Sequence, residues 1–151
     1  MKADKRGPTV TLIRSKNNDK VFGGYTSMPW SSAEYKWVRD EKAFLFSLTD
    51  GRKYEQGMLA TSRSGTGNDS DKAVYHHRSN LVAFGAGHDL FIPSDSNKAS
   101  NSYCNLSTTY ASALASHSPV SRDRFLGGDY NFLVEEIETY AVLMSETPQL
   151  H

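Results

Sequence analysis

Leu81-Val-Ala-Phe-Gly-Ala-Gly-His-Asp-Leu-Phe-Ile92 is an apolar run, a glycine pair and a second apolar run. Glycine takes positive φ and lets backbones approach closely at little steric cost, so Gly85 and Gly87 mark a tight reversal or bulge. Leu81–Phe84 and Asp89–Ile92 then read as two short strands of one hairpin. Both are apolar enough to be buried, which puts the hairpin at the centre of a β core. His88 and Asp89 are the polar pair at its mouth.

The flanking segments extend this pattern. Thr9–Arg14 and Val21–Thr26 read as a hairpin around the polar turn 15–20. Gly23 and Gly24 inside the second strand imply a bulge or a group packed tightly on the backbone, with Tyr25 and Trp30 as candidates. Met28-Pro29-Trp30 ends that strand, since proline cannot donate to a ladder. Residues 31–42 are mixed and charged, with Tyr35 and Trp37 as anchors. Ala43–Leu48 is a third strand, Thr49-Asp-Gly51 a turn, and Lys53–Leu59 a short return strand. Residues 60–72 carry no apolar side chain after Ala60 and read as a mobile loop. Ala73–His77 is a short strand, and Tyr103–Leu106 another. Residues 107–121 are rich in Ser, Ala and Thr, with a helical turn expected over Thr109–Ser116. Tyr130–Tyr140 is the last strand.

That last strand has a phase conflict. Phe132 and Val134 share a face, and strict alternation would bury Glu136 and Glu138 beside them while turning Ile137 outward. Burying two unpaired carboxylates is costly, so a bulge at Glu135-Glu136 is expected to return Ile137 to the core. Many short strands between Gly, Pro and Asn turns predict a mostly-β fold, a two-sheet antiparallel sandwich. The 151 residues suit one domain, with its core over about residues 7–142.

Composition narrows the function. Seventeen Lys+Arg balance seventeen Asp+Glu, and a nucleic-acid binder needs a basic excess. No run reaches the roughly 20 apolar residues of a membrane-spanning helix, and the N-terminus lacks a signal-peptide pattern. Cys104 is the single cysteine, so no internal disulfide forms, and the expected setting is reducing and cytoplasmic. Asn68 and Asn105 match the glycosylation pattern but carry little meaning without a secretion signal.

Six stretches, in order, resemble the TLDc family, the domain of the oxidation-resistance proteins. They are Gly7-Pro-Thr-Val-Thr-Leu-Ile13, Val21-Phe-Gly-Gly-Tyr-Thr-Ser-Met-Pro-Trp30, Ala43-Phe-Leu-Phe-Ser-Leu48, Phe84-Gly-Ala-Gly-His-Asp-Leu90, Asn101-Ser-Tyr-Cys-Asn-Leu106 and Tyr130-Asn-Phe-Leu-Val-Glu-Glu-Ile-Glu138. The wording is similar to protist members in particular. The resemblance implies a β-sandwich with short flanking helices. It also implies a link to oxidative-stress resistance and binding to the vacuolar-type proton ATPase, with no firmly attached enzymatic activity. Three departures stand out. Only six residues precede Gly7, where the family usually has a helical segment. The loop at 60–72 is long and polar. Ala86 stands where a third glycine is common.

The family-motif positions Gly23, Gly24, Trp30, Phe84, Gly85, Gly87, His88, Asp89, Glu136 and Glu138 are expected to be structural or partner-binding. Catalytic readings are weaker. His88 and Asp89 would serve as an acid/base pair only if the turn is irregular, and a hydrogen bond within the turn is the simpler role. Glu135, Glu136 and Glu138 form an acidic cluster suited to a solvated face, a cation or a basic partner. His76 and His77 diverge on a strand and lack a third metal ligand. Cys104 has no cationic neighbour in its motif to make it reactive, and reads as a small buried hydrophobe. Gly65 and Gly67 are not followed by Gly-Lys-Ser/Thr, and no Gly-x-Ser-x-Gly elbow exists, which removes a phosphate loop and a serine hydrolase. Trp30 and Trp37 read as core or rim anchors rather than sugar platforms.

The expectation is therefore a non-catalytic interaction domain without cofactor or metal. It would dock on a large assembly, either the proton ATPase or another organellar or cytoskeletal complex. The alternatives are an enzyme or redox protein using His88, Asp89, the Glu135–Glu138 cluster or Cys104, and a carbohydrate-binding sandwich.

Overall fold

The computed structural model describes residues 7–31, 35–55, 73–77, 79–85, 89–104, 110, 126–128 and 131–143. They form eleven strands: β1 Thr9–Ser15, β2 Val21–Thr26, β3 Lys36–Val38, β4 Phe44–Ser47, β5 Arg52–Glu55, β6 Val74–His76, β7 Asn80–Phe84, β8 Leu90–Pro93, β9 Ser102–Cys104, β10 Asn131–Phe132 and β11 Val134–Ala141. No helix occurs among the described residues, so the short flanking helices are not found there. The loop at 60–72, and all of 107–121 except Tyr110, lie outside them.

The strands make two antiparallel sheets. A five-stranded sheet runs β11-β1-β2-β4-β5, and a six-stranded sheet runs β10-β9-β8-β7-β6-β3. The hairpin expected at the centre is there: β7 and β8 are the two middle strands of the larger sheet, paired Phe84↔Leu90 and Ala83↔Phe91. Gly85 leaves β7 at φ +89°, a conformation that favours glycine.

The sheets meet through rings and branched chains. Phe22 and Phe132 pack edge-on at 5.4 Å, and Trp30 lies edge-on to Phe84 at 5.5 Å. Ile13, Leu45, Val82, Leu90 and Ile92 fill the space around them, each at most 1% exposed. Burying one such side chain contributes about 2 kcal/mol, so these few positions dominate the cohesion of the two layers.

Gly24 is a point of close approach between the layers. A Cβ there would sit 2.6 Å from the Phe84 ring and 2.9 Å from Leu45. On Gly23 it would strike the Thr11 carbonyl, with Phe46 next nearest at 3.0 Å. The sequence reading named Tyr25 and Trp30 for these contacts. Tyr25 instead turns to the other side of the sheet and stacks on Phe44, and Trp30 reaches the glycine region only through Phe84. The correct partner is far away in sequence, which is why local reading missed it.

The bulge in the last strand is present. Arg14 pairs with Glu136 and Ser15 with Val134, so Glu135 is the extra residue. Ile137 is thereby returned to face Ile13 and packs on the core. Leu133 alone separates β10 from β11, and the chain changes sheet across it.

Candidate functional site

The glycine hairpin holds an interior polar knot. Asp89 is completely buried, and its Oδ2 accepts the Tyr110 backbone N–H at 2.9 Å. The Tyr110 hydroxyl donates to the Ala73 carbonyl at 2.8 Å, and the Gly85 N–H donates to the same carbonyl at 2.9 Å. A Cβ on Gly85 would lie 2.2 Å from the Asp89 carboxylate, so glycine is required here both by φ and by space. Burial, with the negative charges of Asp89 and Asp40 adding to it, pushes the Tyr110 phenol well above its ordinary range.

Asp89 therefore ties its hairpin to a residue 21 positions downstream. The hydrogen bond expected within the turn would fall on residues 86–88, Gly87 and His88 among them, which lie outside the described residues. Tyr110 was missed because its neighbours are Ser, Ala and Thr. The available signal was that no other Phe, Tyr or Trp occurs between Tyr103 and Phe125.

A second buried carboxylate, Asp40, also escaped the sequence reading. It accepts from the Thr26 hydroxyl at 2.7 Å, the Ser27 N–H at 2.7 Å, the Ser27 hydroxyl at 2.6 Å and the Lys42 N–H at 3.0 Å. These bonds close the long connection after β2. They bind protein groups and leave the carboxylate a structural clamp.

The remaining candidates are dispersed. His76 is buried beside Trp30, whose Nε1–H donates to the Thr9 hydroxyl at 3.1 Å. His77 meets the Tyr35 ring, and its Nδ1 accepts the Ser79 N–H. Cys104 is buried opposite Leu90. Trp37 packs on Tyr75 across β3 and β6. No group of three metal-ligating side chains occurs among the described residues. No helix of those residues is long and apolar enough to cross a membrane.

What the strands do bring together is an outward face. On β1 the residues turned to the core are Thr9, Thr11, Ile13 and Ser15, and those turned away are Val10, Leu12 and Arg14. Register extends the outward set across the sheet. Val10 stands between Tyr140 and Tyr25, which adjoins Phe44; Leu12 stands between Glu138 and Gly23, which adjoins Phe46. Tyr140 is 50% exposed, while Val10, Leu12, Val21, Tyr25, Phe44 and Phe46 are half-buried. An antiparallel sheet with one wet side normally puts polar residues outward. Here that side is largely apolar and aromatic.

The face is charged along its β11 margin. Arg14 Nη2 lies 3.2 Å from Glu136, and Nε lies 3.4 Å from Glu135 and 3.8 Å from Asp19. The Tyr140 hydroxyl bonds to Glu138, which raises the Tyr140 pKa. One guanidinium thus stands among three carboxylates, with Glu138 further along the same margin. On the opposite margin the Lys53 ammonium lies 4.4 Å over the Phe44 ring. A shallow groove of about 160 Å³ opens at the acidic margin, lined by Leu12, Ile13, Arg14, Val21, Glu136 and Glu138.

With this geometry, the model of the TLDc domain matches residues 1–143. The chain belongs to the TLDc family. No curated protein matches it. Within this TLDc chain the motif positions divide in two. Gly24, Trp30, Phe84, Gly85 and Asp89 build the interior. Glu136 and Glu138 stand on the exposed margin, and Gly23 leaves room for the Phe46 ring on the outward face.

Proposed function

We propose that this TLDc domain is a non-catalytic adaptor that docks on a large multisubunit assembly through the outward face of its five-stranded sheet. The observation that carries the reading is the inverted alternation of β1, which leaves apolar side chains outward and threonines inward. Contiguous apolar surface of this kind, rimmed by charge, is a mark of interaction sites. Its extension over Tyr25, Phe44 and Phe46 gives a wide, pre-formed platform.

The vacuolar-type proton ATPase is the assembly that family resemblance suggests, and another organellar or cytoskeletal complex fits the same surface. In this reading a role in oxidative-stress resistance runs through the assembly. The complete burial of Cys104 and Asp89 counts against direct chemistry by either group on a solute.

The test is affinity isolation from the native cell with the wild-type chain and a Phe44→Ser/Phe46→Ser variant. The wild type is expected to retain a multisubunit assembly and the variant to lose it, with both chains folded by circular dichroism. Equal retention by the two would refute docking through this face. Turnover of a substrate by the purified chain would refute the adaptor reading itself.

A further inference from the structure

We infer that the element docked on this face is an amphipathic helix of a partner protein, with Lys or Arg along the flank that lies over β11. The inference rests on the adaptor reading above and names the chemistry of its partner.

The backbone excludes several occupants. β1, β2 and β4 each have a strand on both sides, so their N–H and C=O groups are used within the sheet. The face therefore presents side chains alone. A segment lying on it must satisfy its own backbone, since burying unpaired amides is costly. A helix does this within one segment, and helix on sheet is a standard layer arrangement.

Charge supplies the orientation. Glu138, Leu12, Gly23, Phe46 and Lys53 form one row across the sheet. The Phe46 ring reaches across Gly23, 3.0 Å from where a Cβ would stand, so the row is level between Leu12 and Phe46. A helix can lie along that level strip, with its apolar stripe on Leu12, Tyr25, Phe44 and Phe46. The excess of carboxylates at β11, against the cation at Lys53, fixes which flank is basic. The groove at that margin suits one long cationic side chain. Its methylenes would lie on Leu12 and Val21, with its charged head at Glu138, since Arg14 in the same groove already lies 3.2 Å from Glu136.

The probe is a synthetic amphipathic helix of about 18 residues, long enough to fold in isolation. One version carries Lys on a single flank, and the other carries Glu in the same places. Binding to the intact chain is read by fluorescence anisotropy, with sedimentation to follow self-association. The Lys version is expected to bind about tenfold more tightly or better. Glu136→Lys/Glu138→Lys should reverse that preference, and Phe46→Ser should weaken both peptides. Equal binding of the two peptides, binding of neither, or a concentration-dependent dimer lost on Phe46→Ser would each overturn the inference. Failure of the charge reversal, with the assembly still lost on Phe44→Ser/Phe46→Ser, would sink the basic helix and leave the adaptor reading standing.

Discussion

The two faces of the five-stranded sheet are built on opposite terms. The inward face carries Thr9, Thr11, Ser15, Thr26 and Ser47, all buried, and their polar atoms are matched inside the molecule. Thr9 accepts from Trp30, Thr26 donates to Asp40, Thr11 meets Thr139 at 3.4 Å, and Ser15 accepts the Lys20 N–H. The outward face carries Val10, Leu12, Tyr25, Phe44 and Phe46, which are half-buried. A buried hydroxyl is tolerable once it is hydrogen-bonded, whereas an outward phenylalanine gains fully only when something covers it. The inward face is finished by folding; in the proposed adaptor reading the outward face is finished by association.

The largest expected effect tests the inward side. Asp40→Ala would leave the Thr26 and Ser27 hydroxyls and the Ser27 and Lys42 amides without their acceptor. A loss of about 3–5 kcal/mol follows, read as a fall in the urea midpoint. A loss below about 1 kcal/mol would mean that water replaces the carboxylate and that the inward face is not closed.

Trp30→Phe comes next, at about 2 kcal/mol. It removes the bond to Thr9 and part of the packing on Phe84.

Tyr110→Phe should cost about 1–2 kcal/mol, since the Ala73 carbonyl loses a donor. Its signature is in alkali. The folded phenol has a raised pKa, so it stays neutral while the unfolded tyrosine ionises from about pH 10 upward. The unfolded state then binds fewer protons, and stability falls with rising pH. That contribution is fully present below the unfolded pKa and is lost as pH climbs through the folded one. The Phe variant should lose less stability over this range in parallel denaturation series. Superimposable slopes would contradict the buried, carboxylate-flanked phenol.

Outward substitutions should cost less in folding. Phe46→Ser is expected to lower stability by about 1 kcal/mol or less, because its ring is half-buried, while removing association. A cost equal to that of an interior phenylalanine would erase the contrast between the faces. Glu138→Gln should change stability by less than about 0.5 kcal/mol, as exposed pairs do, and act on binding alone.

The glycine hairpin was legible because its signals are local. An apolar run, Gly85 and another apolar run specify two strands and a reversal whatever surrounds them. The bulge at Glu135 was legible for a related reason: Phe132, Val134 and Ile137 can share a core only if one residue is skipped. Other features resisted. β3 is three residues in a charged stretch, and it exists because Trp37 and Val38 find Tyr75 and Val74 across the sheet. Asp40 looks like any loop aspartate until Thr26 and Ser27 converge on it.

Most of the strands, β3 excepted, and the bulge follow from this sequence by itself, because each depends on residues within a few positions of one another. The direction in which β1 faces does not. Alternation would as readily turn Val10 and Leu12 inward; Ile13, fixed between Phe22 and Ile137, selects the opposite phase. Only the tertiary structure decided that the threonines go in and the apolar side chains go out. The free energy of that choice is summed over contacts between two sheets, and no short segment contains it.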